Sequence, residues 1–531
     1  MEKVNGRKLS LIFIFILILL VIALLVGKLT FSYLGPTLGE DLSNEGEVTA
    51  SGDTLIFTKG SNLSLSATTD NFQTGGSNLS STTNPKVRLI ASSKTNSASA
   101  TYYVGVVINS NTYTYTTSDN TAEVILTIKD ENGNNVTSGV DGLTYVTSGG
   151  VSGFDVTGKT GLFNIKTDYP ISTTSSSTGT THTWTFTLTF VNLGTDQSDN
   201  ENASMDLDIY LQKTKILTLT DYVISQYTGT QGENGLYHHD SSLTNGAGDN
   251  SYRFAGANPN NYVCFGNNAE TCSTDNLYRI IGVIDGKVKL ILSDGATTDM
   301  LGTDGGYVTP YSESGWTSSN YKGDGDLSKI GTYHWNTSGK NIWSSSTTNT
   351  TNLNTNYINN IGTKWKAMID DTIWYVGGMV LDNGINTNVK TAYSYEIGAN
   401  KDASTTVTTK IGMMYLSEYY YGATPYYWTF PGNNTNKNDY RKSINDNWMH
   451  IGLDEWTISR DSLYTNLTFA VSSSGNIGHD FVSSGVGGDI GEVIRPVFCL
   501  KSSVQYSSGT GTSTDPIRIK LWYLTQGIIF L

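Results

Sequence analysis

Charge is scarce in this chain. Only 15% of its 531 residues are Asp, Glu, Lys or Arg, against about 25% in ordinary soluble proteins. Basic residues number 33 against 47 acidic ones, for a net charge of −14, and no Lys/Arg block occurs. Phosphate binding needs clustered Lys and Arg, so nucleic acid is excluded as a partner, and docking on anionic lipid with it. The few Lys, Glu and Arg also rule out a coiled coil. Proline is rare at 9 residues, and the 6 histidines fall in no HExxH or other metal-ligand spacing. No G-x-S-x-G elbow is present, so the abundant serine supports no hydrolase. In place of charge stand 56 Gly, 32 Tyr and long Ser, Thr and Asn tracts. With 37% hydrophobic and 11% aromatic residues the chain can still bury cores, which argues against full disorder.

The longest apolar run is Leu9–Val26, 18 residues without a charge. As a helix it covers about 27 Å, close to the hydrocarbon thickness of a bilayer. Lys3, Arg7 and Lys8 precede it, while Glu40, Asp41, Glu45 and Glu47 follow at a distance. That asymmetry predicts a cytoplasmic N-terminus (1–8), an uncleaved transmembrane signal anchor (9–26) and an extracellular remainder. A cleaved signal peptide is the competing reading, but GKLTFSYLGP offers no A-x-A-like site. The expected product is a single-pass cell-membrane protein with a short stalk over 27–50.

From 51 to 213 the period is two. Candidate strands are Thr54–Lys59, Lys86–Ser92, Thr101–Ile108, Ala122–Ile128, Thr183–Val191 and Met205–Leu211. In TWTFTLTF, Trp184, Phe186, Leu188 and Phe190 share a face, and Asn132-Gly133 marks a hairpin. About 160 residues of such strands predict an all-β, immunoglobulin-like sandwich. A linker helix is expected over 214–227, within QKTKILTLTDYVISQY. Residues 228–517 read as α+β. NLYRIIGVIDGKVKLILSD is a hairpin turning at Asp285-Gly286, and TTNLNTNYINNIGTKWKAMIDD two short helices. KIGMMYLSEYYYG and EVIRPVFCLKSSV read as strands, and 518–531 as a hydrophobic tail.

Tyr252–Ile291 (YRFAGANPNNYVCFGNNAETCSTDNLYRIIGVIDGKVKLI), NWMHIGLDEWTISR, VIRPVFCLKSSVQY and GTGTSTDPIRI resemble single-pass surface proteins of low-GC Gram-positive and mollicute-like gut bacteria. GKLTFSYLGPTL and FTKGSNLSL near the start resemble the same group. The C-terminal domain of that group is similar to the C-type-lectin-like fold of the formylglycine-generating-enzyme type. The resemblance implies a lectin-like module on a β-sandwich stalk, without an activity. Neither the copper-binding cysteine pair of those enzymes near Cys499 nor the EPN, QPD and WND motifs of calcium-dependent lectins occur here.

Candidate chemistry is sparse. Cys264 and Cys272 bracket FGNNAET and lie outside the expected membrane span, which favours a disulfide contributing about 2–3 kcal/mol, with a reduced pair or a metal pair as alternatives. Cys499, in PVFCL, reads as a buried thiol. His238-His239-Asp240 is the one histidine cluster and reads as a loop. Asp324-Gly325-Asp326, Asp196 to Glu201 and Asp130 to Asn135 offer oxygens suited to Ca²⁺, or are solvated loops and a hairpin. No other cofactor is implied. Asp454 and Glu455 are neighbours ahead of Trp456; in a strand they face opposite sides and make no glycosidase pair.

Between Glu418 and Phe430 seven rings fall in 13 residues. Tyr419, Tyr420, Tyr421, Tyr426, Tyr427 and Trp428 are the candidate contact residues for an extracellular protein or glycan, because rings give flat contact area at low entropy cost. Packing in a Tyr-rich core is the competing reading. The expected function is adhesion or ligand recognition at the surface, without catalysis. A polysaccharide-acting surface enzyme and a structural envelope component are the alternatives.

Overall fold

Along Thr185–Phe190 every second side chain must leave water, and Trp184, Phe186, Leu188 and Phe190 are all fully buried in the computed structural model. Burial of such side chains contributes about 1.5–3 kcal/mol each. The structure describes residues 45–520 except 51, 73–74, 214, 216, 270, 378, 381–385, 433–439 and 484–490. The expected anchor 9–26 and the end of the tail, 521–531, lie outside the described residues, as do 1–8 and 27–44. Among the described residues no helix is long and apolar enough to cross a membrane. The chain is mostly β-sheet with few helices, and it divides into two units, Met1–Ile216 and Leu217–Leu531.

The first unit is all-β. Three sheets enclose one core: a four-stranded sheet with outer strands Glu45–Ala50 and Thr180–Thr183, a four-stranded sheet built on Ala98–Asn111, and a five-stranded sheet built on Thr185–Phe190. Glu45–Ala50 pairs antiparallel with Asp53–Thr58, so the last six residues of the expected stalk belong to the sheet. Trp184 interrupts the expected strand Thr183–Val191, and its indole donates to the Tyr102 hydroxyl at 2.9 Å. The Asn132-Gly133 turn is held by the Asp130 carboxylate, which accepts the amides of Asn132 and Asn134. Loop 196–201 serves a buried carboxylate: Gln197 and Asn200 donate to Glu123 at 2.8 and 2.7 Å.

The second unit begins one step earlier than the sequence suggests. Helix Leu219–Ser225 is capped by the Thr218 hydroxyl, and it buries Leu219 and Val223 in this unit's core, so the expected linker is integral to it. Strand Ile517–Ile519 likewise crosses the expected boundary at 517 and pairs parallel with Tyr262–Cys264. At Asp285-Gly286 both residues adopt positive φ (50° and 72°), as a tight hairpin turn requires, joining Leu277–Ile284 to Lys287–Leu292. These strands lie in an eight-stranded sheet; a six-stranded sheet runs from Tyr307–Pro310 to Ile477–Phe481.

One expectation is overturned. KIGMMYLSEYYYG is not a strand: Leu416–Tyr421 is a helix, and only Gly412 makes a bridge, to Val497. Glu418 reaches back to accept the Tyr415 amide at 3.0 Å. Glu396, the last residue of helix Val389–Glu396, accepts the amides of Leu416 and Ser417 at 2.9 and 2.8 Å and the Ser459 hydroxyl. The orphan amides of the first turn are thereby satisfied in the interior.

Burial pushes the Glu396 carboxyl up to about 7 from 4.5. A raised folded-state value means that the native state holds the proton more tightly. The associated stability is fully present below the unfolded value near 4.5 and is lost as pH rises through about 7. Thermal unfolding followed between about pH 5 and pH 8 is therefore expected to show a fall in stability towards the alkaline end. Glu396→Gln should flatten that part of the profile; an unchanged slope in the variant refutes the assignment.

Candidate functional site

The hairpin that turns at Asp285-Gly286 ends in Leu292-Ser-Asp294-Gly295, and the Asp294 side chain gathers the backbone around it. Its carboxylate is 6% exposed and accepts the Gly295 amide at 2.7 Å, the Tyr321 hydroxyl at 2.6 Å and the Gly325 amide at 2.9 Å. A Cβ on Gly323 would stand 2.1 Å from Asp294 Oδ2, so only glycine lets this loop lie against the carboxylate. Beyond the contact, the Thr298 amide donates to the Lys329 carbonyl and the Tyr311 amide to the Ile330 carbonyl, both at 2.8 Å. These bonds carry the loop 321–330 back against the end of the hairpin.

Between them lies a cavity of about 250 Å³, lined by Thr274, Asp275, Leu292, Asp294, Gly295, Thr297, Asp324, Gly325, Asp326, Lys329 and Ile330. Four carboxylates and one ammonium leave it strongly negative. Partial burial holds the Asp275 carboxyl above the ordinary range, and the charges of Asp299 and Asp294 add to this while Lys329 opposes it. The Ser328 hydroxyl and amide, at 2.7 and 3.0 Å, hold the Asp326 carboxyl below the usual range, so it stays ionised. Thr297 is 8% exposed and precedes helix Thr298–Leu301, yet its hydroxyl makes no cap bond and has no partner in the protein. A polar atom left so in the interior costs roughly 1–3 kcal/mol unless a ligand or water meets it.

A disulfide lies close in sequence to Thr274 and Asp275. Cys264 and Cys272 form a disulfide, with Cα atoms 5.8 Å apart. The bond closes the loop just before Thr274 and Asp275, and the Phe265 amide donates to the Asn276 carbonyl at 2.9 Å. The acidic residues are thus attached to sheet and loop positions that have little freedom.

The ring segment lies elsewhere and mostly inside. Tyr419, Tyr420 and Trp428 are 0% exposed and Tyr421 is 1%. The expectation that they form a contact surface is corrected: helix Leu416–Tyr421 is capped within the core and carries Tyr419, Tyr420 and Tyr421 inward, and Trp428 is buried in the turn Pro425–Thr429. Tyr419 meets His450 at 3.1 Å, Trp428 donates to the Ala423 carbonyl, and the Tyr421 ring packs on Trp428 and His239. Tyr427 is half-buried and donates to Asp446, while Tyr426 is 70% exposed.

Other candidates are tied up within the fold. Burial presses both His239 and His450 down to about 3, so they are neutral interior rings. His238 lies 3.4 Å from Asp240. Asp454 accepts the Tyr311 hydroxyl and the Ser473 amide, whereas Glu455 pairs with Arg495 at 2.6 Å. Cys499 is a buried free thiol, which burial pushes up in pKa. Among the described residues no group of three or more His, Cys, Asp or Glu is placed to hold a metal ion.

Of the cavity residues, sequence reasoning singled out Asp324, Gly325 and Asp326 and missed Asp275, Asp294, Thr297 and Lys329. Asp294-Gly295 and Asp324-Gly325 share their Asp-Gly form with Asp141-Gly142 and Asp304-Gly305, so no signal in the sequence singles them out. No family model, curated protein or solved structure matches the chain.

The disulfide spans a sequence separation of 8. Replacing both cysteines by serine is expected to lower the unfolding free energy by about 2–3 kcal/mol in denaturant titration. A loss well below 1 kcal/mol would mean that the loop is held by its hydrogen bonds alone.

Proposed function

We propose that this protein is a membrane-anchored cell-surface recognition protein that binds an extracellular ligand in the acidic cavity of its second unit. In this reading Leu9–Val26 is the uncleaved anchor, with a cytoplasmic N-terminus. The first unit is an immunoglobulin-like sandwich. The second is a C-type-lectin-like α+β module, and the partner is an extracellular protein or glycan bound without catalysis.

One observation carries the reading: Asp275, Asp294, Asp324 and Asp326 line one cavity of about 250 Å³. Asp294 is buried and saturated by donors, whereas Asp275, Asp324 and Asp326 are exposed at the rim with charge available to an incoming group. Of the rings proposed from sequence, Tyr419, Tyr420, Tyr421 and Trp428 belong to the core of the second unit.

The test is a binding screen of the full chain against arrayed extracellular proteins, peptides and glycans, repeated with Asp275→Asn/Asp324→Asn. Both residues are exposed, so the double variant is expected to fold and to lose the bound species. Undiminished binding by the variant would place recognition elsewhere on the molecule.

A further inference from the structure

In the first unit, we propose that Lys59 and Asn109 become joined by a covalent amide bond, which the protein forms by itself at the Asp208 carboxylate with loss of ammonia.

The fold gathers the three side chains. Strand Ser204–Gln212 pairs with Ala98–Asn111, and the register shifts between Asp206 and Leu207. Ser110 stands opposite Asp206 and Ile108 opposite Leu207, so Asn109 is the extra residue of a bulge. A bulge re-aims a side chain, and here the Asn109 amide donates to Asp206 at 3.1 Å and to Asp208 Oδ2 at 2.9 Å. Lys59 follows directly on strand Asp53–Thr58, which belongs to a different sheet, and its ammonium donates to Asp208 Oδ1 at 3.0 Å. An amine and a carboxamide from two sheets thus sit on the two oxygens of one buried carboxylate. Holding them there turns a slow bimolecular aminolysis into an intramolecular one.

The chemistry needs no oxidant or reductant. Asp208 takes a proton from the Lys59 ammonium, and the free amine attacks Asn109 Cγ. The Cγ–Nζ bond forms and the Cγ–Nδ2 bond breaks. The two protons that Nζ gives up pass through the carboxylates to the departing nitrogen, which leaves as ammonium, so the net charge balances. Asp206 stands beside that nitrogen. Half-burial raises its carboxyl above the ordinary range, the Asn109 hydrogen bond opposes this and the charge of Asp208 adds to it. The shift moves Asp206 towards the range in which a carboxyl both takes and gives a proton. Lys59 is 47% exposed, so the ammonia released has a direct way out to solvent.

As an ion pair alone, the contact of so exposed an ammonium holds little. As a bond it fixes the end of Asp53–Thr58 to the strand Ala98–Asn111. All three cysteines lie in the second unit, so a cross-link within the first has to use other side chains.

The experiment is a tryptic digest of the full chain, aged at neutral pH, followed by tandem mass spectrometry. Acylated Lys59 resists trypsin, so the expected species is a branched peptide carrying Lys59 and Asn109, lighter than its two parts by about 17 Da, one ammonia. It should be absent from Lys59→Arg, which keeps the positive charge, and much reduced in Asp208→Asn. Circular dichroism confirms that each variant is folded, and the native protein should unfold at a higher temperature than Lys59→Arg. Recovery of the two peptides unjoined and at full mass from the native protein overturns the proposal, whether or not a variant folds. A branched peptide that forms equally in Asp208→Asn overturns the assignment of proton transfer to that carboxylate.

Discussion

The helix Leu416–Tyr421 starts deep inside the second unit, where its first amides would have no water to turn to. Glu396 meets two of them, and Glu418 meets the Tyr415 amide at 3.0 Å. Each unmet amide would cost roughly 1–3 kcal/mol in that environment. Glu418 is itself balanced by Lys289 at 2.5 Å, whose ammonium stands 5.0 Å and 4.7 Å from the ring centroids of Trp374 and Tyr415. Hairpin, helix and the strand carrying Ser459 are thereby joined through carboxylate oxygens. With its N-terminus held there, the helix must carry Tyr419, Tyr420 and Tyr421 into the core.

The same use of a carboxylate recurs where loops would otherwise lack partners. Glu123 in the first unit is fully buried and gathers Thr116, Gln197 and Asn200 around itself. Asp294 gathers Gly295, Tyr321 and Gly325. In a chain with so little charge, most interior charges are thus fully engaged. The cavity beside Asp294 differs: Asp275 and Asp324, which line it, are exposed to solvent. Its walls are the end of a hairpin, the turn at Thr274 and Asp275 and a hydrogen-bonded loop.

Much of the first unit is legible along the chain. The alternation through Trp184 to Phe190 names four interior side chains correctly, because a strand places every second residue on one face and nothing distant is needed to decide it. Asp285-Gly286 is similarly local, since positive φ at both residues is a property of that dipeptide in a tight turn. The site is the opposite case. Thr274 and Asp275, Leu292 to Thr297, and Asp324 to Ile330 come from three separate stretches, and no spacing rule links them. The ring-rich segment misled for a related reason. Whether Tyr419, Tyr420 and Tyr421 face water or the core depends on what caps their helix, and one cap, Glu396, lies 20 residues upstream of Leu416.

By itself, the sequence determined the period-two strands, the turn at Asp285-Gly286 and the cysteine pair close enough to bond. These follow from backbone geometry, chain connectivity and composition, which act over a few residues or over the whole chain at once. Only the tertiary structure decided that the rings turn inward and that dispersed aspartates share one concavity. Those outcomes depend on which buried amide finds which carboxylate across the fold, and such pairings have no period in the sequence.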